Sequence, residues 1–540
     1  MINRKKTITV IALLFTVIAA AAVFLLFAGK EKSNVQMYSF NRKLKTADRD
    51  DFCRTTYEIF PYSFCDSNGD GIGDLNGIIS KLDYIKDLGF DQIWLTPVHP
   101  SPTYHKYDVT DYCSLDPSFG TAEDYEKLIS ECHKRGIRIL MDMVVNHTSD
   151  SHEWFKAASD YLHELPADWE PDVSYCRYFD YYNFSRDPQN GYSPLPGTNW
   201  YYEAWFWSGM PDLNLNSSYV RDEIKSIVSY WLGKGVDGFR LDAVTSYHTG
   251  QSEANRDFLK FFCDTCKAIK PDCYIVGEAW TDRNSISLLY TSGIDSLFNF
   301  PFSGPDGFIR DVSGGFIAAS DFVKAMVYSD DAFRSSNPSY TDAPFYTNHD
   351  IARSAGYYAS DEGPVTKLSY ALSLFMSGNS FLYYGEEIGM KGSGKDENKR
   401  APMYWSDDPS DPDMCSGPPD MDEVAMKFPS LADQKKDDLS LWNWFRQVIK
   451  VRNAFPAIPC GRVEDPELST DTVAVFYKRC EGYDDVLLVI NTGETEQQID
   501  LSSLAPLKLS AVLNTSEDEI LFKDSLLTVP AFSIAVLTDK

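Results

Sequence analysis

Positive charge is scarce in this chain of 540 residues: 50 Lys and Arg stand against 79 Asp and Glu, a formal charge of −29. A surface so acidic repels phosphate backbones, which argues against nucleic acid as a partner and leaves neutral or cationic small molecules. Turn formers are not in excess either. With 28 Pro, 32 Gly and 43% hydrophobic residues, the chain lies outside the disordered and collagen-like classes. It has material for a large core spread over about two to four domains. The 11 Cys are odd in number in a chain large enough to fold without staples, so a disulfide framework is not expected. Cys263 and Cys266 form a C-x-x-C with Cys273 nearby, but no partners for a zinc or redox site can be picked out, and buried or locally paired thiols are expected instead. Also missing are a Ser-His-Asp or thiol-His set and a Gly-rich phosphate loop ahead of a helix.

One hydrophobic run is long. Residues 7–29, TITVIALLFTVIAAAAVFLLFAG, are uncharged and follow Arg4, Lys5 and Lys6. As a helix rising about 1.5 Å per residue, this stretch would cross a bilayer. The basic cluster favours a cytoplasmic amino terminus, which puts the remainder outside the cell. An uncleaved membrane anchor is the expectation, because the apolar regions of signal peptides run to only about 7 to 15 residues; a cleaved signal would give a secreted chain. Residues 30–50 are polar and basic and read as a tether.

From Thr55 onward, short β-branched or aromatic runs alternate with helical patterns, which argues for βα units and a parallel sheet. Candidate strands start at Thr55, Gln92, Ile137, Gly238, Tyr274, Ser296, Ala343 and Ser380. Eight such strands close a (β/α)8 TIM barrel, here over 51–147 and 213–457. Ile78, Leu82, Ile85 and Leu88 illustrate the helical spacing between strands. The alternation breaks once, at 148–212, an inserted subdomain crowded with aromatic residues, most of them expected in its own core and a few facing ligand. Past the last barrel helix, alternating runs from Thr472, Asp485 and Ser533 read as a C-terminal antiparallel β-sandwich over 458–540.

In a parallel barrel the reacting groups sit at the carboxyl ends of the strands. Asp142, Asn146, His147, Arg240, Asp242, Glu278, His349, Asp350, Glu386 and Glu387 all fall there. One Asp at a strand end is usually a cap or an ion-pair partner, but several carboxylates on one face are costly unless chemistry needs them. Arg240 precedes Asp242 by two residues, on the same strand face, and can hold it ionised. The segments DMVVNH (142–147), MPDLN (210–214), GFRLD (238–242), VGEAW (276–280) and FYTNHD (345–350) resemble, in order and placement, the α-amylase family of retaining glycoside hydrolases.

That resemblance implies a double-displacement reaction on α-glucans. It makes Asp242 the nucleophile, Glu278 the general acid and then base, and Asp350 the carboxylate that steadies the transition state. It assigns His147 and His349 to hydroxyls of the sugar being cleaved, Tyr107 of YHKYD (104–108) to a stacking platform, and Asp108 to non-reducing hydroxyls. Arg400, in KRAPMYW, resembles the arginine that pairs with such an aspartate. Asp66, Asn68, Asp70, the Ile72 carbonyl and Asp74 put oxygens at alternate positions with Gly71 at the turn, like the first half of a calcium loop, although Gly77 stands where an EF-hand has its Glu. Members similar to oligo-1,6-glucosidases carry calcium there, so calcium is expected as a structural ion.

MPDLN resembles the version found in neopullulanase-type members and in those intermediate between them and the oligo-1,6-glucosidases. After Asp242 the chain has Thr245 and Ser246 where many endo-acting amylases carry Lys-His, so contacts to the leaving side differ. The expected activity is hydrolysis of α-1,4 links, with α-1,6 links as a companion substrate, in starch-derived glucans outside the cell. An α-1,6-acting oligoglucosidase or a glucan transferase would share the same intermediate. A silent membrane-anchored relative, like the heavy chains of amino-acid transporters, is disfavoured because Asp242, Glu278, Asp350, Arg240 and both histidines are present.

Overall fold

The computed structural model describes residues 38–40, 53–516 and 518–539. The apolar stretch 7–29, and 30–50 apart from 38–40, lie outside the described residues. Among the described residues no helix is long and apolar enough to cross a membrane.

Seven strands form one parallel sheet: β1 (Thr55–Ile59), β2 (Gln92–Leu95), β3 (Arg138–Met143), β4 (Gly238–Leu241), β5 (Tyr274–Gly277), β6 (Ser296–Leu297) and β7 (Ser380–Tyr383). Their spatial order is β6-β5-β4-β3-β2-β1-β7. The run at Ala343 fills the gap between β6 and β7 through parallel bridges from Phe298 to Ala343 and from Phe345 to Phe381, so the ring of eight closes. This member is held by single bridges and not by a ladder. Pro344 has no N–H to give, and the Asp342 carboxylate takes the Ala343 N–H at 2.9 Å and the Asn299 amide at 2.8 Å.

Local signals start and stop the surrounding helices. Asp74 accepts from the Gly77 N–H at 2.8 Å to open Leu75–Leu88, and Gly89 closes it at φ +103°. A reciprocal Thr121–Asp124 capping box opens Ala122–Lys134. Ser217 opens Ser218–Lys234, and Gly235 at φ +103° ends it.

Between β3 and β4 the chain builds a helix, Glu153–Glu164, and a small antiparallel sheet of Phe184–Ser185, Tyr201–Glu203 and Tyr192–Pro194. Trp154, Phe155, Tyr181, Tyr182, Trp200 and Tyr202 are buried within it, while Trp169, Tyr175, Trp205, Phe206 and Trp207 are exposed. At the other end, six antiparallel strands include Tyr38–Phe40, whose backbone pairs with Ala511–Leu513 although that stretch reads as tether. Val475, Leu487, Val489 and Leu537 of this sheet share a core with Leu527 of a second, three-stranded sheet. Alternate residues Ala474, Phe476, Leu488 and Val536 join the barrel core, as the period of two requires.

The ends of the barrel are fastened twice. Cys53, ahead of β1, is disulfide-bonded to Cys460, 407 residues away, a long-range bridge where no disulfide framework is expected from the sequence. Arg452, fully buried on Leu441–Ala454, donates to the carbonyls of Leu374, Met376 and Gly378 at 2.5, 3.0 and 2.5 Å. These carbonyls lie on the approach to β7 and have no water to turn to. Replacing Arg452 with Leu orphans them, and we expect a loss of about 3 kcal/mol or more, read as an unfolding midpoint lower by about 3 °C or more. A midpoint within a degree of the parent would remove Arg452 from this role.

Candidate active site

The β3–β4 register sets Asp142 opposite Arg240, and the β4–β5 register sets Arg240 opposite Val276, two residues before Glu278. Arg240 is fully buried. Its Nη1 donates to Asp242 Oδ1 at 2.7 Å and to both oxygens of Asp142 at 3.1 Å. Nη2 lies 3.1 Å from Glu278 Oε2 as an ion pair. Trp94 lies under the guanidinium at 5.0 Å, and its indole N–H and the Tyr107 hydroxyl also donate to Asp142, at 3.2 and 3.1 Å. Asp142 is thus spent on holding Arg240, and Asp242 faces the cleft. Ala243 leaves β4 at φ +48°, a left-handed conformation that costs an L residue about 1 to 2 kcal/mol. The turn aims the Ala243 N–H at Glu278 Oε2, 3.0 Å away.

On the opposite wall, buried His349 reaches Glu58 Oε1 through Nδ1 at 2.7 Å and Asp350 Oδ2 through Nε2 at 3.1 Å. Its ring lies parallel to Tyr107, 5.4 Å away and tilted by 9°. Arg400 Nη2 donates to Asp350 Oδ1 at 2.7 Å, and Nη1 donates to the Tyr104 hydroxyl at 3.0 Å. Arg400 therefore pairs with Asp350, not with Asp108 as expected. Asp108 is turned away from the cleft to accept from the hydroxyls of Ser101, at 2.5 Å, and Thr103. Both of these short side chains from its own loop engage the same oxygen, Oδ1.

Titration follows this geometry. Burial raises the Glu278 carboxyl to about 7; Arg240 opposes the rise, and the charges of Asp242 and Asp350 add to it. Burial also raises Asp242, with Arg240 as the main opposing charge. For His349, burial alone would lower the imidazole, but Asp350 and Glu58 outweigh it and lift the ring to about 9. Asp350 is pushed up by burial, yet His349 and Arg400 hold it well below the usual carboxylate range. Burial lowers His147 to about 4, so it is neutral.

These groups open onto a cleft of about 530 Å³ lined by Tyr107, His147, Asp242, Glu278, Asp350 and Arg400. Thr245 and Ser246 face it, as do Phe206, Trp207 and Met210 of the inserted subdomain. Trp280 forms another wall, stacked on Phe300 at 4.8 Å. Asp212, from MPDLN, accepts from Asn146 and from the Trp205 N–H, each at 3.0 Å, and so ties the aromatic rim to the end of β3. Glu386 and Glu387, placed by sequence at a strand end, do not line the cleft: Glu386 accepts from Ser354 at 2.7 Å, and Glu387 from Tyr57 and Tyr84 at 2.5 and 2.6 Å. Glu58 was missed by the sequence reading; the signal was a lone carboxylate inside the apolar run TTYEIF.

In the loop before Leu75–Leu88, Asp66, Asn68 and Asp70 each accept the N–H two residues on, at 2.9, 2.9 and 2.8 Å. Three successive turns of this kind set oxygens at alternate positions, a donor set suited to a hard cation. Asp74 caps the helix and accepts from the Ser67 hydroxyl at 2.7 Å. Among the described residues, no three carboxylate, His or Cys side chains group as a metal site, so a cation here would also need the Asn68 and Ile72 oxygens.

Residues 58–461 match the family described as alpha amylase, catalytic domain. Alpha-amylase 3 of Dictyoglomus thermophilum is 37% identical over 444 residues, covering 81% of this chain and 83% of that one. Oligo-1,6-glucosidase of Heyndrickxia coagulans is 31% identical over 488 residues, covering 76% and 86%. The solved structure of Eubacterium rectale Amy13B is 46% identical, covers 93% of this chain and 97% of its own, and superposes with a TM-score of 0.90. Barrel, carboxylate cluster and family match agree, and the chain belongs to the alpha-amylase family of glycoside hydrolases.

Proposed function

We propose that this protein hydrolyses α-1,4-glucosidic bonds in starch-derived glucans and maltooligosaccharides with retention of configuration, and accepts α-1,6 links secondarily. The observation that carries the reading is one guanidinium contacting both Asp242 and Glu278, at 2.7 and 3.1 Å. Two carboxyls held by the two end nitrogens of one guanidinium are drawn towards each other, as the close pair of a retaining mechanism requires.

In this reading Asp242 attacks the anomeric carbon while Glu278 gives its proton to the departing glycosidic oxygen. The leaving sugar departs as an alcohol, and a glycosyl ester remains on Asp242. Glu278, now ionised, takes a proton from water, whose oxygen attacks the same carbon and frees Asp242. Asp350, ionised between His349 and Arg400, faces the positive charge that develops on the sugar ring. His147 and the Tyr107 ring are offered to the sugar in the cleaved position.

We also infer export, with 7–29 as an anchor or signal; the Cys53–Cys460 bridge supports an oxidising compartment. Calcium is our proposal for the loop at Asp66, Asn68, Asp70, Ile72 and Asp74, where it would brace the start of Leu75–Leu88 and take no part in the reaction.

Incubation of the chain from about residue 35 with maltoheptaose, pullulan and isomaltotriose should give maltose and glucose from the first and panose from the second. Glucose from isomaltotriose alone would move the enzyme to the α-1,6 class, and longer products would make it a transferase. Glu278→Gln should lose about 10² to 10⁴ in rate on unactivated sugars. Because the acid must hold its proton, the rate should fall as pH rises through about 7, and that limb should vanish in the variant; near-normal turnover would dismiss Glu278. If calcium binds the loop, it should raise the unfolding temperature in the parent but not in Asp70→Ala, and equal shifts would exclude the site.

A further inference from the structure

A second cavity, of about 720 Å³, shares no lining residue with the cleft. Tyr112 lines it: its hydroxyl shares its proton between the carbonyls of Val144 and His147, each 2.8 Å away, and its ring stacks on Trp154 at 5.9 Å. Tyr178 of the inserted subdomain and Tyr230 of Ser218–Lys234 bring two further rings to the walls, and Tyr230 is exposed.

His152 points to a ligand independently of those rings. It is 3% exposed and lines the cavity. Its Nδ1 accepts from the Trp154 N–H at 3.1 Å, which fixes the proton on Nε2. Among the described residues, no protein group accepts from that Nε2–H. The charged side chains around the cavity are mixed, Lys156 and Arg177 against Asp111, Glu153 and Glu223. A highly charged ligand would meet like charge whichever its sign. A neutral ligand with many hydroxyls and apolar ring faces would use the aromatic walls, the buried donor and both kinds of charged group.

We propose that this cavity is an accessory saccharide-binding site, separate from the reacting centre, which holds a neutral oligosaccharide on Tyr178 and Tyr230 with His152 as a buried donor. That the sugar is an α-glucan rests on the proposed function. Such a site would keep a long or insoluble chain on the enzyme between cleavage events.

Cys113 gives a local readout, because its thiol is exposed and lines the same cavity. In the full chain carrying Glu278→Gln, which spares the sugar, maltoheptaose should slow alkylation of Cys113 by N-ethylmaleimide about fivefold or more, followed by peptide mass spectrometry. Adding Tyr178→Ala and Tyr230→Ala should abolish the protection, while the same pair in the chain with Glu278 intact should cleave a short maltooligosaccharide within about twofold of the parent. Unprotected Cys113 in a chain that cleaves maltoheptaose, or protection that survives the paired variant, overturns the accessory site and leaves the hydrolase reading standing. Protection of Cys113 in a parent chain that cleaves no α-glucan supports the site and removes that reading.

Discussion

A guanidinium sealed from water is unstable unless carboxylates surround it, and Arg240 is sealed completely. Its partners come from three successive strand ends: Asp142 from β3, Asp242 just past β4, and Glu278 just past β5. Parallel register brings those ends to one level, so the barrel must close correctly before the charge can be buried at all. The same contacts that make Arg240 tolerable hold the two carboxyls of the proposed reaction at close spacing. Fold and site therefore share one electrostatic condition.

The cluster is not electrically balanced. Glu58, Asp142, Asp242, Glu278 and Asp350 surround Arg240, His349 and Arg400, five carboxyls to three cations. Excess negative charge in a buried cleft favours retention of a proton. Asp350 is touched by two cations, and Asp142 and Asp242 accept directly from Arg240. Glu278 has only the Nη2 ion pair and one backbone N–H, so the surplus proton is most stable there. An acid that is protonated near neutrality thus follows from burial first, and then from the few partners that Glu278 has beside two other carboxylates.

Much of this was legible in the chain. Alternating runs mark all eight members of the barrel, and the insertion announces itself as a break in that rhythm. Asp242, Glu278, Asp350 and His147 line one cleft where strand-end placement puts them, Arg240 and His349 contact its carboxylates, and Tyr107, placed by the resemblance, lines it too. The sequence reading failed where a side chain could choose among neighbours distant in sequence. Arg400 was expected on Asp108 and took Asp350, while Asp108 accepts from Ser101 and Thr103 of its own loop. Glu386 and Glu387 found hydroxyl partners away from the cleft lining, and Cys53 found Cys460, 407 residues on in the chain.

By itself, then, the sequence determined the periodicities, the caps, the barrel class and the set of residues carried to the strand ends, since these depend on spacing along the chain and on local backbone chemistry. Only the tertiary structure decided which carboxyl meets which cation, which aromatic rings turn outward, and where a buried His152 keeps an unused donor. Those outcomes are set by distances between segments up to hundreds of residues apart, and in a buried site an ångström of separation changes a Coulomb interaction by more than any local preference can.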